Sequence, residues 1–438
     1  MFIILLIGAM IIDISVLKVN DLISKSFIHH HTKLLLFSSN TIFILAIVFF
    51  IINYLERSFK KNPLNRKFNI ELLYRFSLNS LFVIGTLIAL LIFQIAENNY
   101  YNISISLFIV TVSYLTAAAF LVKLIQLIIS WVRSNPNFLL SLLAVSMILI
   151  TFNLVITAIV TDLKLADRSD EIREYAGGAA NISAGKNMLL NNIRTVSSIA
   201  SFVSIWITTI ILINYYKERS VSKFTYWFVL TLPLLYYLIN YLYPFIFTNL
   251  FQEYLSSNPV TVSIIFTIVF SLSTPIGGLM FALAFWKMSK NLSYEKNIKT
   301  HMIVCGWGIL LIFSADQSGL QTLAPYPPFG LATLSVLILG SFMMLVSIYN
   351  SALLVGSNMK LRGIIRQHAL ESNVFGVVGR SQMQKEVEKT VKKITRIKAE
   401  LERDSEQRIE FDEEGLKEYL SSLMTEIQKQ KNSKASDT

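Results

Sequence analysis

Charge is scarce in this sequence: Asp, Glu, Lys and Arg together make up 15% of 438 residues, where soluble domains carry roughly 25%. That shortage excludes water as the main solvent for most of the chain. Cysteine occurs once, as Cys305 in an apolar stretch, which excludes an intrachain disulfide and leaves a buried, inert thiol as the expected state. Enzyme signatures are also missing: there is no Walker loop, nucleophile elbow, zincin pair or kinase block, and Gly376–Val377–Val378–Gly379 reads as a turn. The formal charge of +11 comes from Lys and Arg scattered through short connections and the tail, not from a basic domain, so no nucleic-acid partner is implied.

Long apolar runs fill the space that charge leaves empty. They come in blocks of about twenty residues, the length a helix needs to cross a hydrocarbon core about 30 Å thick, rather than as alternating barrel strands of about ten. The fold class expected is all-α, a polytopic transmembrane bundle. Ten spans are read, at 1–17, 34–55, 76–96, 105–132, 139–161, 195–215, 226–248, 262–286, 301–315 and 331–355. The first is short and contains Asp13, so nine spans is the alternative. It lacks a positive leading region and a small-residue cleavage site, and reads as a retained membrane segment.

Orientation follows from the connections. Residues 56–75 hold Arg57, Lys60, Lys61, Arg66, Lys67 and Arg75, whereas 97–104 hold no Lys or Arg. The alternation persists, with Arg133, then Lys217, Arg219 and Lys223, then Lys287, Lys290, Lys296 and Lys299 on one side and cation-free turns at 249–259 and 316–330 on the other. By the positive-inside rule, the basic side and the C-terminal tail are cytoplasmic, in a cell membrane. The external segment 162–194 carries a sequon at Asn181, a candidate glycosylation site.

Two domains are expected: the bundle at 1–355 and a cytoplasmic amphipathic tail at 356–438. In the tail, Ser381 and Gln384 form a capping-box start, and Met383, Val387, Val391, Ile394 and Leu401 recur on one helical face. A second helix, opened by Phe411, Asp412, Glu413 and Glu414, carries the stripe Leu416, Tyr419, Leu420, Leu423 and Ile427. These stripes pack on each other or on a cytoplasmic partner.

Within the spans, ionisable residues are few: Asp13, Lys123 and, at a boundary, Asp316. Such groups are costly at bilayer depth and are functional candidates for that reason. Ser273, Thr274 and Pro275, followed by Gly277 and Gly278, mark a helix break, because proline removes a donor while hydroxyls and glycines offer partners and close approach. Asp316, Tyr326 and Phe329 belong to a proline-rich turn fit to wall a ligand. His29, His30 and His31 point about 100° apart on a helix and preorganise no metal site. No cofactor or metal is implied.

The stretch Ala324–Pro325–Tyr326–Pro327–Pro328–Phe329–Gly330, together with Tyr349, Asn350, Ser351, Leu361 and Arg362, resembles uncharacterised multi-pass membrane proteins of archaea. That resemblance implies a location and no activity. Three functions remain open: a non-catalytic sensor or scaffold signalling through its tail, a small-solute permease using the break at Pro275, and an enzyme acting on lipid-linked material.

Overall fold

The structure is a computed structural model that describes residues 2–23, 30–60, 70–134, 136–166, 171–173, 188–214, 227–239, 273–291, 296–319, 326–357, 381–385, 387–392 and 395–396. In chain order the elements are α1 (Phe2–Ile23), α2 (His30–Lys60), α3 (Ile70–Asn98), β1 (Tyr100–Asn102), α4 (Ile103–Ser134), α5 (Phe138–Ala166), β2 (Glu171–Arg173), α6 (Met188–Asn214), α7 (Trp227–Ile239), α8 (Pro275–Asn291), α9 (Lys296–Gly319) and α10 (Leu331–Ser357). The tail contributes helix at 381–385 and 387–392.

Seven helices are long and apolar enough to cross a membrane: His31–Phe59, Glu71–Asn98, Ile103–Ser134, Phe138–Ala166, Leu189–Ile213, Ile298–Asp316 and Leu331–Val355. Three shorter apolar helices, Phe2–Asp13, Trp227–Ile239 and Pro275–Lys287, each overlap part of another expected span. Side-chain exposure agrees with a lipid solvent. Phe43, Phe49, Phe50, Phe82, Phe93, Trp227 and Phe228 stand exposed, a distribution that water would penalise as a large apolar patch and that hydrocarbon favours. The chain is a multi-pass helical membrane protein.

Contacts divide the chain into two compact units, Met1–Ile125 with Val145–Ile348, and Gln126–Ala144 with Tyr349–Thr438. In the first unit, α10 is buried all round: every residue from Leu331 to Ile348 is buried, as befits a helix that is apolar on all faces. It crosses α9 at paired glycines. A β-carbon on Gly340 would meet the Gly308 carbonyl oxygen at 2.8 Å, and one on Gly308 would meet the Gly340 carbonyl oxygen at the same distance. Backbone therefore lies on backbone there, the small-residue contact by which helices associate in lipid.

Asp13 finds its place at the start of this central helix. Gly330, at a φ of 92°, turns the chain into α10. The Thr333 hydroxyl donates to the Asp13 carboxylate at 2.5 Å, and the backbone N–H groups of Gly330 and Thr333 face the same carboxylate. A carboxylate borrowed from α1 thus caps α10, where orphan N–H groups and the positive helix end favour an anion. Asn40 of α2 completes the junction by donating to the Ala9 carbonyl at 3.3 Å.

In the second unit, the elbow between α4 and α5 is set by Asn137, whose side-chain oxygen accepts from the Leu139 N–H at 3.0 Å and caps α5. The first tail helix joins this elbow through side-chain hydrogen bonds. The Trp131 indole N–H donates to Gln382 at 2.9 Å, and Lys385 donates to the Ser130 hydroxyl at 2.8 Å. Trp131, Val387 and Val391 are buried.

Candidate functional site

At the end of the first unit where α3 runs into β1 and α5 towards β2, the two short strands pair antiparallel, with Tyr101 opposite Ile172. Asn102 caps α4 by accepting from the Ser104 N–H at 2.8 Å. The proline-rich turn at 326–330 is buried at this end: Tyr326 stacks on Tyr101 at 6.3 Å, and Phe329 meets Phe37 edge-on at 5.4 Å. The bond from Tyr326 to Pro327 is cis.

Inward from that end, polar groups converge on Asp316. The Tyr114 hydroxyl of α4 donates to one carboxylate oxygen at 3.3 Å, and the Asn153 amide of α5 donates to the other at 3.4 Å. Ser197 of α6 donates to the Asn153 side-chain oxygen at 3.0 Å. Tyr114, Asn153, Ser197 and Asp316 are all buried. They come from four helices and lie roughly one to four turns in from the helix ends. Four apolar helices thus meet around a single acid.

Nearer the rim, Thr111 donates to Asp162 at 2.9 Å. The half-buried Arg194 lies within Coulombic range of Asp316, Tyr114 and Lys164. Among the described residues, Arg194 and Asp316 form no ion pair. The rim therefore carries one acid, Asp162, with two bases, Lys164 and Arg194, while Asp316 is the carboxylate of the buried cluster.

Compared with protein-family models, with curated proteins and with solved structures, the chain matches none. The site therefore has to be read from its own chemistry.

Of the residues singled out from sequence, Asp316 sits at the centre of this cluster. Tyr326 and Phe329 form the buried turn that precedes α10. Ser273 and Thr274, also buried, form a turn from which α8 starts at Pro275, where a missing N–H is tolerated. The Gly277 N–H donates back to the Thr274 carbonyl at 3.1 Å. The part of the expected span before residue 273 lies outside the described residues, as do Asn181 and the second tail stripe of Leu416, Tyr419, Leu420, Leu423 and Ile427. Among the described residues, no group of three or more His, Cys, Asp or Glu is placed to hold a metal ion.

The reading by charge overlooked Tyr114, Asn153 and Ser197. A signal was present for Asn153, an amide in the middle of an apolar run, where a polar group needs a partner from another helix.

Proposed function

We propose that this protein is a membrane sensor or scaffold that detects a stimulus at the Asp316 end of its bundle and reports it through its C-terminal tail. In this reading the bundle crosses a cell membrane ten times, with the three shorter helices counted as spans, and the tail is cytoplasmic. The observation that carries it is the pair of bonds from Gln382 and Lys385 to Trp131 and Ser130. A tail that merely trailed from the last span would need no such attachment. One helix, α4, carries both Tyr114, which touches Asp316, and Trp131, which holds the tail. A small displacement of α4 can therefore be felt by both, the kind of helix shift that switching proteins use.

The stripe Leu416, Tyr419, Leu420, Leu423 and Ile427 is the proposed docking face for a cytoplasmic protein. Photo-crosslinking from position 419 in cells is expected to trap one discrete partner. Changing Leu420→Asp and Leu423→Asp together places charge on the apolar stripe and is expected to abolish the crosslink while the protein still inserts. Absence of any crosslink to the wild-type tail would remove this reading.

A permease is the second reading. It is favoured by the start of α8 at Pro275 beside buried Ser273 and Thr274, since broken helices expose backbone groups for solutes at membrane depth. Solute uptake that persists after deletion of everything beyond Ser381 would favour it.

A further inference from the structure

The hydrogen bonds around Asp316 are long. Charge-assisted bonds to a carboxylate run about 2.5–2.7 Å from a hydroxyl and about 2.7–2.9 Å from nitrogen, yet Tyr114 and Asn153 stand at 3.3 and 3.4 Å. Asp13 provides the contrast within the same unit, held by Thr333 at 2.5 Å. Asp13 is tied through one oxygen by a short bond, its Oδ1 having no hydrogen-bond partner, whereas both Asp316 oxygens are reached only by long bonds. A carboxylate has room for about four hydrogen bonds, and Asp316 makes two long ones. A buried charge held this loosely calls for a counter-charge. Arg194 does not supply it by contact, although its field reaches the site.

We propose that Asp316, together with Tyr114, Asn153 and Ser197, is a binding site for a small monovalent cation of the alkali type. Each of the four side chains carries an oxygen, and none carries sulfur or imidazole, which suits a hard ion and not a soft transition metal. A single buried carboxylate balances a single positive charge. Divalent ions draw on more carboxylates than this cluster holds.

Asn153 can change its role without losing its neighbour. Turned over, its amide nitrogen donates to the Ser197 hydroxyl and its oxygen faces Asp316 as a ligand. Ser197 then directs its own proton to the Arg194 carbonyl, which already lies 2.9 Å away. The seam between α5 and α6 survives both arrangements. One turn further along the same face of α5 as Asn153, the Thr157 hydroxyl is buried with no hydrogen-bond partner, a further oxygen on that face. Arg194 stands as the competing cation, so bound ion and Arg194 repel each other. This assignment is independent of what the tail does.

The test is thermal unfolding of the purified full-length protein in NaCl, LiCl, KCl, methylammonium chloride and choline chloride at equal ionic strength. An alkali ion is expected to raise the midpoint saturably by about 2 °C or more over choline, as a ligand that binds only the folded state does. Asp316→Asn is expected to abolish that difference and Asn153→Ala to weaken it. Asp13→Asn retains it, because that carboxylate caps a helix. Arg194→Gln is expected to lower the half-saturating concentration several-fold. Should Asp316→Asn fail to fold, Asn153→Ala and Thr157→Val carry the comparison. Equal midpoints in all five salts, or an alkali effect that both Asp316→Asn and Asn153→Ala leave untouched, overturn the proposal. A response to methylammonium alone replaces the alkali ion with a protonated amine and overturns it equally.

Discussion

Replacing Gly340 with leucine is expected to lower the unfolding midpoint by about 5 °C or more, corresponding to about 3 kcal/mol for overpacking at a site that cannot yield. The magnitude follows from what surrounds the position. A β-carbon alone would stand 2.8 Å from the Gly308 carbonyl oxygen and 3.1 Å from the Ile312 backbone nitrogen. Those are backbone atoms of α9, so no rotamer change relieves the clash, and α9 and α10 must separate. Gly340→Ala is expected to lose stability in the same direction by a smaller amount. Gly8→Ala is the control, because nothing lies within 4 Å of a β-carbon built there. Scanning fluorimetry of the three variants in detergent measures the order.

Trp131→Ala is expected to release the tail. Truncating a buried tryptophan removes about 3–5 kcal/mol of packing, and here it also removes the donor that Gln382 accepts from. The loss falls on the second unit, which is made from the elbow of α4 and α5 and the tail. Hydrogen exchange of the amides at 381–392 is expected to rise by at least tenfold, while those of α9 and α10 keep their protection. Lys385→Ala, which removes the bond to Ser130 but leaves the buried indole in place, is expected to give a smaller rise. Unchanged exchange at 381–392 in Trp131→Ala would mean that the tail is not held at the elbow.

Much of the architecture was legible because lipid makes heavy demands on composition. A helix such as α5, with one interior amide among apolar residues, leaves few alternatives once its length matches a bilayer. Helix at 381–385 was equally readable from its apolar face, but the cap expected of Ser381 is not made: its hydroxyl is buried with no hydrogen-bond partner among the described residues. The position of each partner was not. Asp13 and Thr333 are 320 residues apart, and Tyr114 and Asp316 are 202 apart. No local pattern joins either pair.

Periodicity also cannot distinguish a central helix from a lipid-facing one, since both are apolar all round. The glycines that seat α10 against α9 looked like ordinary small residues until a backbone was seen to press on each. Asp13 and Asp316 illustrate the same limit. In sequence both are acids in apolar segments, and only the distances to their donors separate a cap from a candidate binding group.

A stimulus received at one face and read at the other requires the Asp316 end and the tail to lie on opposite sides of the membrane. Cysteines introduced one at a time at Asn98 and Lys389, both exposed, test this most directly in a Cys305→Ala background. An impermeant maleimide applied to sealed cells is expected to label position 98 and to reach position 389 only after the membrane is opened, as the alternation of basic and cation-free connections requires. Labelling of both positions from the same side would contradict the account.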